Sequence, residues 1–351
     1  MKKFSSILLV AVMVCSLLVG CSGNAAPEET KENEVQQETN VAQEEQSGEE
    51  QSGEEQSDEG GYTIGCVIIN DANTHCIAFA DKFKEIVEEK GDKAIVLAAN
   101  DDPELLLQCI NDLMAAGVDG IVMESPNATA PVEALREAAE KGVVISAADV
   151  LLDIEESEGV LVSQTVSDNY GAGVLCANDL IKRLDGEAGT VCHIIYEENE
   201  AVTTRVQGFL DTIEKAGNIE VLEGAQPTPV TQEAEMALAD SWASKYDEIT
   251  AVFGGGGPIA IAFMRGLEAA GVTCSPDGGT YIYGVDGSQD EYACILDGDY
   301  TGTARQQPDE LARIATEDVY TVLGGGEIDH DWLTYVDVIY VDIENVNDYV
   351  E

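Results

Sequence analysis

The segment KAIVLAANDDPELLLQCINDLMAAGVDGIVMES (93–125) decides the fold. KAIVLAA (93–99) is a short apolar run and reads as a strand. DDPELLLQCINDLMAAG (101–117) opens with acids and a proline, carries an apolar stripe and stops at a glycine, the punctuation of a helix. DGIVMES (119–125) is a second strand. Strand, helix and strand in this order make one βαβ unit, whose two strands lie parallel with the helix across one face.

The same alternation extends in both directions. YTIGCVII (62–69) precedes a helix over about 75–90 that stops at Gly91. PVEALREAAEKG (131–142) is a helix and VVISAAD (143–149) a strand. After a break near 150–167 the pattern restarts. GVLVSQT (159–165) reads as a strand, DNYGAGVLCANDLIKRL (168–184) as a helix and GTVCHII (189–195) as a strand. A helix over 201–216 ends at Gly217. IEVLEG (219–224), a helix over 231–246, ITAVFG (249–254), a helix over 258–270 and TYIYGVD (280–286) follow. The expected fold class is α/β, with two doubly wound parallel-sheet lobes.

Ligands of such sheets bind beyond the carboxyl ends of the strands. The polar residues found there are therefore candidates: Asn70, Asp71 and Asn73; Asn100 to Asp102; Ser125 and Asn127; Asp149; Tyr196, Glu197 and Glu198; the glycines 254–257; and Asp286. They fall on one edge of each lobe, and two such edges facing each other make a cleft.

The ends of the chain set its compartment. Lys2 and Lys3 precede an apolar run, Phe4 to Val19, that is too short for a comfortable membrane span and reads as a secretory signal (1–20). Its end, Leu18-Val19-Gly20-Cys21, resembles the bacterial lipobox, which implies that Cys21 is lipidated and begins the mature protein. Residues 22–60 are Glu, Gln, Ser and Gly with little apolar content, and repeat themselves as EEQSG (44–48), EEQSG (49–53) and EEQSD (54–58). Such a segment buries too little surface to offset its ordering entropy, so 21–60 reads as a lipidated cysteine and a disordered acidic tether. No second apolar run of spanning length follows. Thirteen of the 68 acids and three of the 17 bases precede residue 61, which leaves the domain with a formal net charge of −41. That argues against nucleic acid or anionic lipid as a partner. Seven cysteines remain in the domain, an odd number without C-x-x-C, and they read as small buried hydrophobes.

Several motifs in one order resemble the type I periplasmic binding proteins, in particular the ribose- and galactose-binding branch, over essentially 62–343. VLAANDDPELLLQCINDLMAAGVDGIVMESPNA (96–128) looks like the family's second-strand-to-third-loop segment. VSDNYGAG (166–173) matches its S-D-N-x-x-G-G, TRVQGF (204–209) its R-x-x-G-F, YGVDGSQD (283–290) its G-F-D-G and ARQQPDELA (304–312) its A-x-Q-x-P segment. The resemblance implies two lobes joined by a three-crossover hinge, 62–167 with 307–336 and 168–306 with 337–351. It also implies a sugar held between them and delivered to an ABC transporter permease. It places Asn73, His75, Asp149, Arg205, Asp286 and Gln306 at the ligand, and Tyr196 is a further candidate for stacking. The chemistry suits a polyol: a carboxylate accepts hydroxyl hydrogens and a guanidinium donates several in a fixed fork. Three familiar contacts differ. His75-Cys76 stands where the family has a phenylalanine pair, Val150 where an arginine follows the first aspartate, and Gly254 to Gly257 where an asparagine follows the eighth strand. A neutral or weakly cationic polar solute is expected, a monosaccharide first, with a nucleoside or an autoinducer as alternatives.

The same residues bear on rival classes of function. No P-loop, H-E-x-x-H, G-x-S-x-G or G-x-G-x-x-G appears, so no enzyme, cofactor or metal is expected. The three histidines, His75, His193 and His330, are not at metal-ligand spacing, and His193 lies inside a strand and reads as packed. The glycine run is followed by proline and no lysine, and reads as a tight turn before a helix. Repressors that share the fold carry a DNA-binding headpiece where this chain has its leader and tether. A sensory subunit that presents ligand to a membrane kinase or chemoreceptor stays open beside transport.

Overall fold

The computed structural model describes residues 61–350 apart from Glu198. The leader, Cys21 and the tether lie outside the described residues.

Two six-stranded sheets carry the molecule. The first takes β1 (Thr63–Ile68), β2 (Lys93–Ala98), β3 (Gly120–Met123), β4 (Val144–Ala148), β5 (Ser163–Ser167) and β11 (Leu333–Val336), in the order β11-β5-β4-β3-β1-β2. The second takes β6 (Gly189–Ile194), β7 (Ile219–Ala225), β8 (Ala251–Phe253), β9 (Tyr281–Asp286), β10 (Gly302–Arg305) and β12 (Ile339–Val341), in the matching order β12-β10-β9-β8-β6-β7. All pairings in the first sheet are parallel. In the second, β12 lies antiparallel on β10, with Thr303 opposite Val341. This departs from the all-parallel expectation. Only Asp337 and Val338 join β11, in the first sheet, to β12, in the second, so the chain enters β12 from the other lobe rather than through a βαβ crossover from β10 within one sheet.

The helices cover both faces. α1 (Thr74–Glu89) and α10 (Pro308–Leu323) pack together on the first sheet, with α2 (Pro103–Ala116) and α3 (Val132–Glu140) on its other side. α5 (Asn169–Leu184) packs along α6 (Glu200–Ala216), and α7 (Gln232–Lys245) along α8 (Gly257–Ala269), around the second sheet. The signals read in the sequence set these ends. Asp102 caps α2 by accepting from Glu104 N and Leu105 N, Pro103 opens it, and Gly117 closes it at φ 72°. Phe79, Phe83, Val122 and Leu311 meet in one core, and Phe209 stacks on Phe253 at 4.4 Å in the other.

Two motif glycines explain the α5–α6 contact. A Cβ on Gly173 would lie 1.9 Å from the Arg205 carbonyl oxygen, and one on Gly208 2.1 Å from that of Tyr170. Only glycine lets these backbones approach so closely, and the approach fixes where α6 presents Arg205.

β5 is displaced from its reading. The apolar run around 159–162 suggested a strand over 159–165, but Val160 and Leu161 fill the core from a loop. The strand is Ser163-Gln164-Thr165-Val166-Ser167, polar and fully buried. Two of its side chains are satisfied locally: Gln164 binds the Leu152 backbone at both its N–H (2.9 Å) and its C=O (3.3 Å), and Ser163 meets Ser146 at 2.8 Å, whereas the Thr165 and Ser167 hydroxyls are buried without a partner. The break at 150–167 also holds a short helix, α4 (Ile154–Ser157), and α9 (Gln289–Asp297) follows β9.

Among the described residues no helix is long and apolar enough to cross a membrane. Seven cysteines are unpaired there, six of them buried. His193 is buried, its Nδ1 2.7 Å from the Ile194 carbonyl oxygen.

Candidate functional site

In each sheet the strand order reverses at its first strand, between β1 and β3 and between β6 and β8. A crevice forms at such a switch point, outside the carboxyl ends of the strands. There the structure has a cleft of about 1210 Å³ lined from both lobes, among others by Asn73, His75 and Asp149 of the first and Asp286, Arg305 and Gln306 of the second. A smaller hollow of about 450 Å³ lies at the opposite, amino ends of β6 to β8 and holds none of these groups.

On the first lobe, Asn73 caps α1, its Oδ1 accepting from His75 N at 2.9 Å. The cap aims His75 at the end of β4, where its Nε2 lies 3.2 Å from Asp149 Oδ1. Asp149 has φ 67°. A carboxylate held in that conformation stores strain, and such strain gathers at functional sites. Beneath them lies Glu124, fully buried just after β3, with Oε1 3.7 Å from His75 Nε2. Burial alone would lower the His75 imidazolium, but Asp149, with help from Glu124, raises it to about 9. Burial would raise the Asp149 carboxyl, yet His75, with Arg205 across the cleft, holds it below its ordinary value. Glu124 is raised by burial and by the charge of Asp149.

On the second lobe, Arg205 is buried and fully engaged on one edge. Its Nε donates to Asn169 Oδ1 at 2.8 Å, and its Nη1 donates to Gly255 O and to Asp286 Oδ1, each at 3.1 Å. Nη2 is the guanidinium nitrogen that these bonds leave over. Asp286 also accepts from Gly257 N at 3.1 Å and from Gln306 Nε2 at 2.9 Å. Its φ is 127°, a second strained aspartate at a strand end. The glycine run is a turn into α8, as expected, and it also supplies Gly255 O and Gly257 N to this network.

Asn73, His75, Asp149, Asp286 and Gln306 thus meet at one cleft, with Arg205 directly behind Asp286. Tyr196 does not join them: it packs against the core of the second lobe, and its carbonyl receives Asn199 N and Thr203 Oγ1. Glu198 lies outside the described residues. Four participants escaped the sequence reading. Glu124 directly precedes Ser125, which drew attention at the end of β3. Asn169 sits inside the S-D-N motif. Arg305 precedes Gln306. Tyr349 comes from the C-terminal segment, 5.2 Å from the Arg305 guanidinium, and nothing in the sequence signals it.

The sequence profile of the periplasmic binding protein domain matches residues 64–327. The D-apiose import binding protein of Actinobacillus succinogenes is 27% identical over 272 residues, which is 76% of this chain and 84% of that protein. The ribose import binding protein RbsB of Escherichia coli is 23% identical over 267 residues, 76% of this chain and 86% of that one. Among solved structures, an ABC transporter periplasmic solute binding protein from Actinobacillus succinogenes with bound D-allose matches with a TM-score of 0.73 at 22% identity. That match covers 82% of this chain and 100% of the other, and carries the fold alone. With the cleft at the switch points of two like-ordered sheets and the profile spanning both, the chain belongs to the periplasmic binding protein domain family.

Proposed function

We propose that this protein is an extracytoplasmic solute-binding lipoprotein that captures a monosaccharide in the interlobe cleft and delivers it to an ABC transporter permease. The observation that carries this reading is the convergence on one cleft of a strained aspartate from each lobe, Asp149 paired with His75 and Asp286 hydrogen-bonded to Arg205 and Gln306. Carboxylates accept from sugar hydroxyls, and the Arg205 fork donates. The import of ribose and of D-apiose by the two relatives supports the substrate class.

Closure about the hinge brings the lobes 62–167 with 307–336 and 168–306 with 337–351 together. Ligand selects the closed state by its differential affinity. A thermal-shift screen of pentoses, hexoses, polyols, nucleosides and amino acids tests the substrate class, because a ligand of the native state raises Tm. The expected outcome is that a monosaccharide gives the largest shift. A nucleoside or an amino acid in that place would replace the reading.

Cys21 anchors the mature chain, and the acidic tether spaces the domain from the membrane. A fatty-acid probe is expected to label the protein in cells and to leave Cys21→Ala unlabelled. Continued labelling of that variant would remove the anchor from the account.

A further inference from the structure

His75, Glu124 and Asp149 differ from the other cleft groups. They come from three separate strand-to-helix junctions, yet one ligand atom from each lies within 4.8 Å of the others. Of the two separations from His75 Nε2, the 3.2 Å ion-pair contact to Asp149 is poorly aligned for a hydrogen bond and the 3.7 Å contact to Glu124 is too long for one. Both His75 Nε2 and Glu124 Oε1 are out of water and lack a hydrogen-bond partner. The other Glu124 oxygen receives a long bond, 3.3 Å, from Ile69 N, and the Cys76 thiol is a further, weak donor to the carboxylate. A fully buried carboxylate with an unpartnered oxygen aimed at an imidazole nitrogen is costly unless something else joins them.

A small divalent ion fits that position. Zinc bonds to imidazole and carboxylate are about 2.0–2.2 Å long, which puts neighbouring ligand atoms of a tetrahedron roughly 3.3–3.5 Å apart. The two observed separations straddle this spacing. One imidazole and two carboxylates form a donor set suited to zinc and its late first-row neighbours, and two negative charges balance a dication.

We propose that His75, Glu124 and Asp149 form a divalent-metal site of zinc type in the wall of the cleft. His75 and Asp149 line the cleft while Glu124 lies buried behind them, so the remaining vertex faces the solute. Three protein ligands and one open position make a site that accepts an outside oxygen. A hydroxyl pair or a carboxylate of the solute completes the shell. The phenylalanine pair's replacement by His75-Cys76 thereby exchanges a stacking surface for a coordinating one. The proposal deepens the solute-binding reading, and it is tested with the metal alone, so the two can fail separately.

The test is calorimetric titration of the full mature protein, stripped with a chelator and held in detergent, with Zn²⁺ and no sugar. One equivalent is expected to bind with micromolar Kd or tighter. His75→Gln and Glu124→Gln should each weaken that binding at least tenfold, whereas His330→Gln, at an exposed histidine, should leave it unchanged. Weak uptake of several equivalents that survives both substitutions, as an acidic surface alone would give, overturns the site. If either variant fails to fold, Co²⁺ in the parent decides. Strong visible bands of a four-coordinate ion without a sulfur charge-transfer band uphold the site. Only the weak bands of a six-coordinate ion overturn it.

Discussion

Arg205→Ala is expected to weaken solute binding by roughly one to two decades. Arg205 is buried, and its guanidinium holds three partners at once: Asn169, the Gly255 carbonyl and Asp286. A hydrogen bond to a charged group contributes about 1.5–3 kcal/mol, and each 1.4 kcal/mol is tenfold in Kd. The substitution removes Arg205's own donors and also releases Asp286 from the geometry in which it faces the cleft. Arg205→Lys should recover little, because an ammonium is a point donor and cannot span three acceptors in a plane. Calorimetry with the sugar identified by screening reads both variants. If Arg205→Ala folds and binds as tightly as the parent, the network does not serve the solute.

Gly173→Ala is expected to lower stability and binding together, from a position that touches no solute. The new methyl would meet the Arg205 carbonyl oxygen at 1.9 Å and Phe209 N at 2.6 Å, both backbone atoms that cannot swing aside. Overpacking of this kind costs typically about 1–3 kcal/mol, and here α5 must separate from α6 to relieve it. Alanine's better helix propensity returns up to about 1 kcal/mol. The net cost, up to about 2 kcal/mol, lowers Tm by up to roughly 8 °C at about 2–4 °C per kcal/mol for a large domain. Separation of the helices also stretches the 2.8 Å bond from Arg205 Nε to Asn169 Oδ1. A variant with the parent's Tm and affinity would show that the close approach is incidental.

These two sites show how function is distributed. The motif residues of α5 and α6 include both the groups that hold the arginine and the glycines that let the helices close to the required distance. Asn169 and Gly173 lie on one helix, and Arg205 and Gly208 on the other.

Much of the architecture was legible because each βαβ unit carries its own punctuation. α2 illustrates this, with Asp102 and Pro103 at one end and Gly117 at the other, and the helix runs between them. β5 was misplaced because a buried strand made of Ser, Gln and Thr carries no apolar signal, while the nearby Val160 and Leu161 bury themselves from a loop. β12 was not read because a three-residue antiparallel edge strand has too little pattern to stand out.

The strand-end rule selected Asn73, Asp149 and Asp286, the resemblance added His75, and the structure gathers all four at the cleft. The same rule selected Tyr196, but an aromatic side chain at a strand end can turn into the core instead, and this one does. The rule does not reveal what a selected residue joins. His75, Glu124 and Asp149 are widely separated along the chain, so no ligand spacing exists to be read. Only the register of β1, β3 and β4 side by side brings them together.

The central claim is that one monosaccharide is gripped from both lobes at once. The most direct measurement is a crystal structure of the protein grown with the sugar that gives the largest thermal shift. The account predicts the sugar in the interlobe cleft. There it contacts His75 or Asp149, directly or through a metal ion, on one side, and Arg205 or Asp286 on the other. A sugar bound outside that cleft, or held by one lobe with the other lobe's carboxylate and arginine left to solvent, would contradict it.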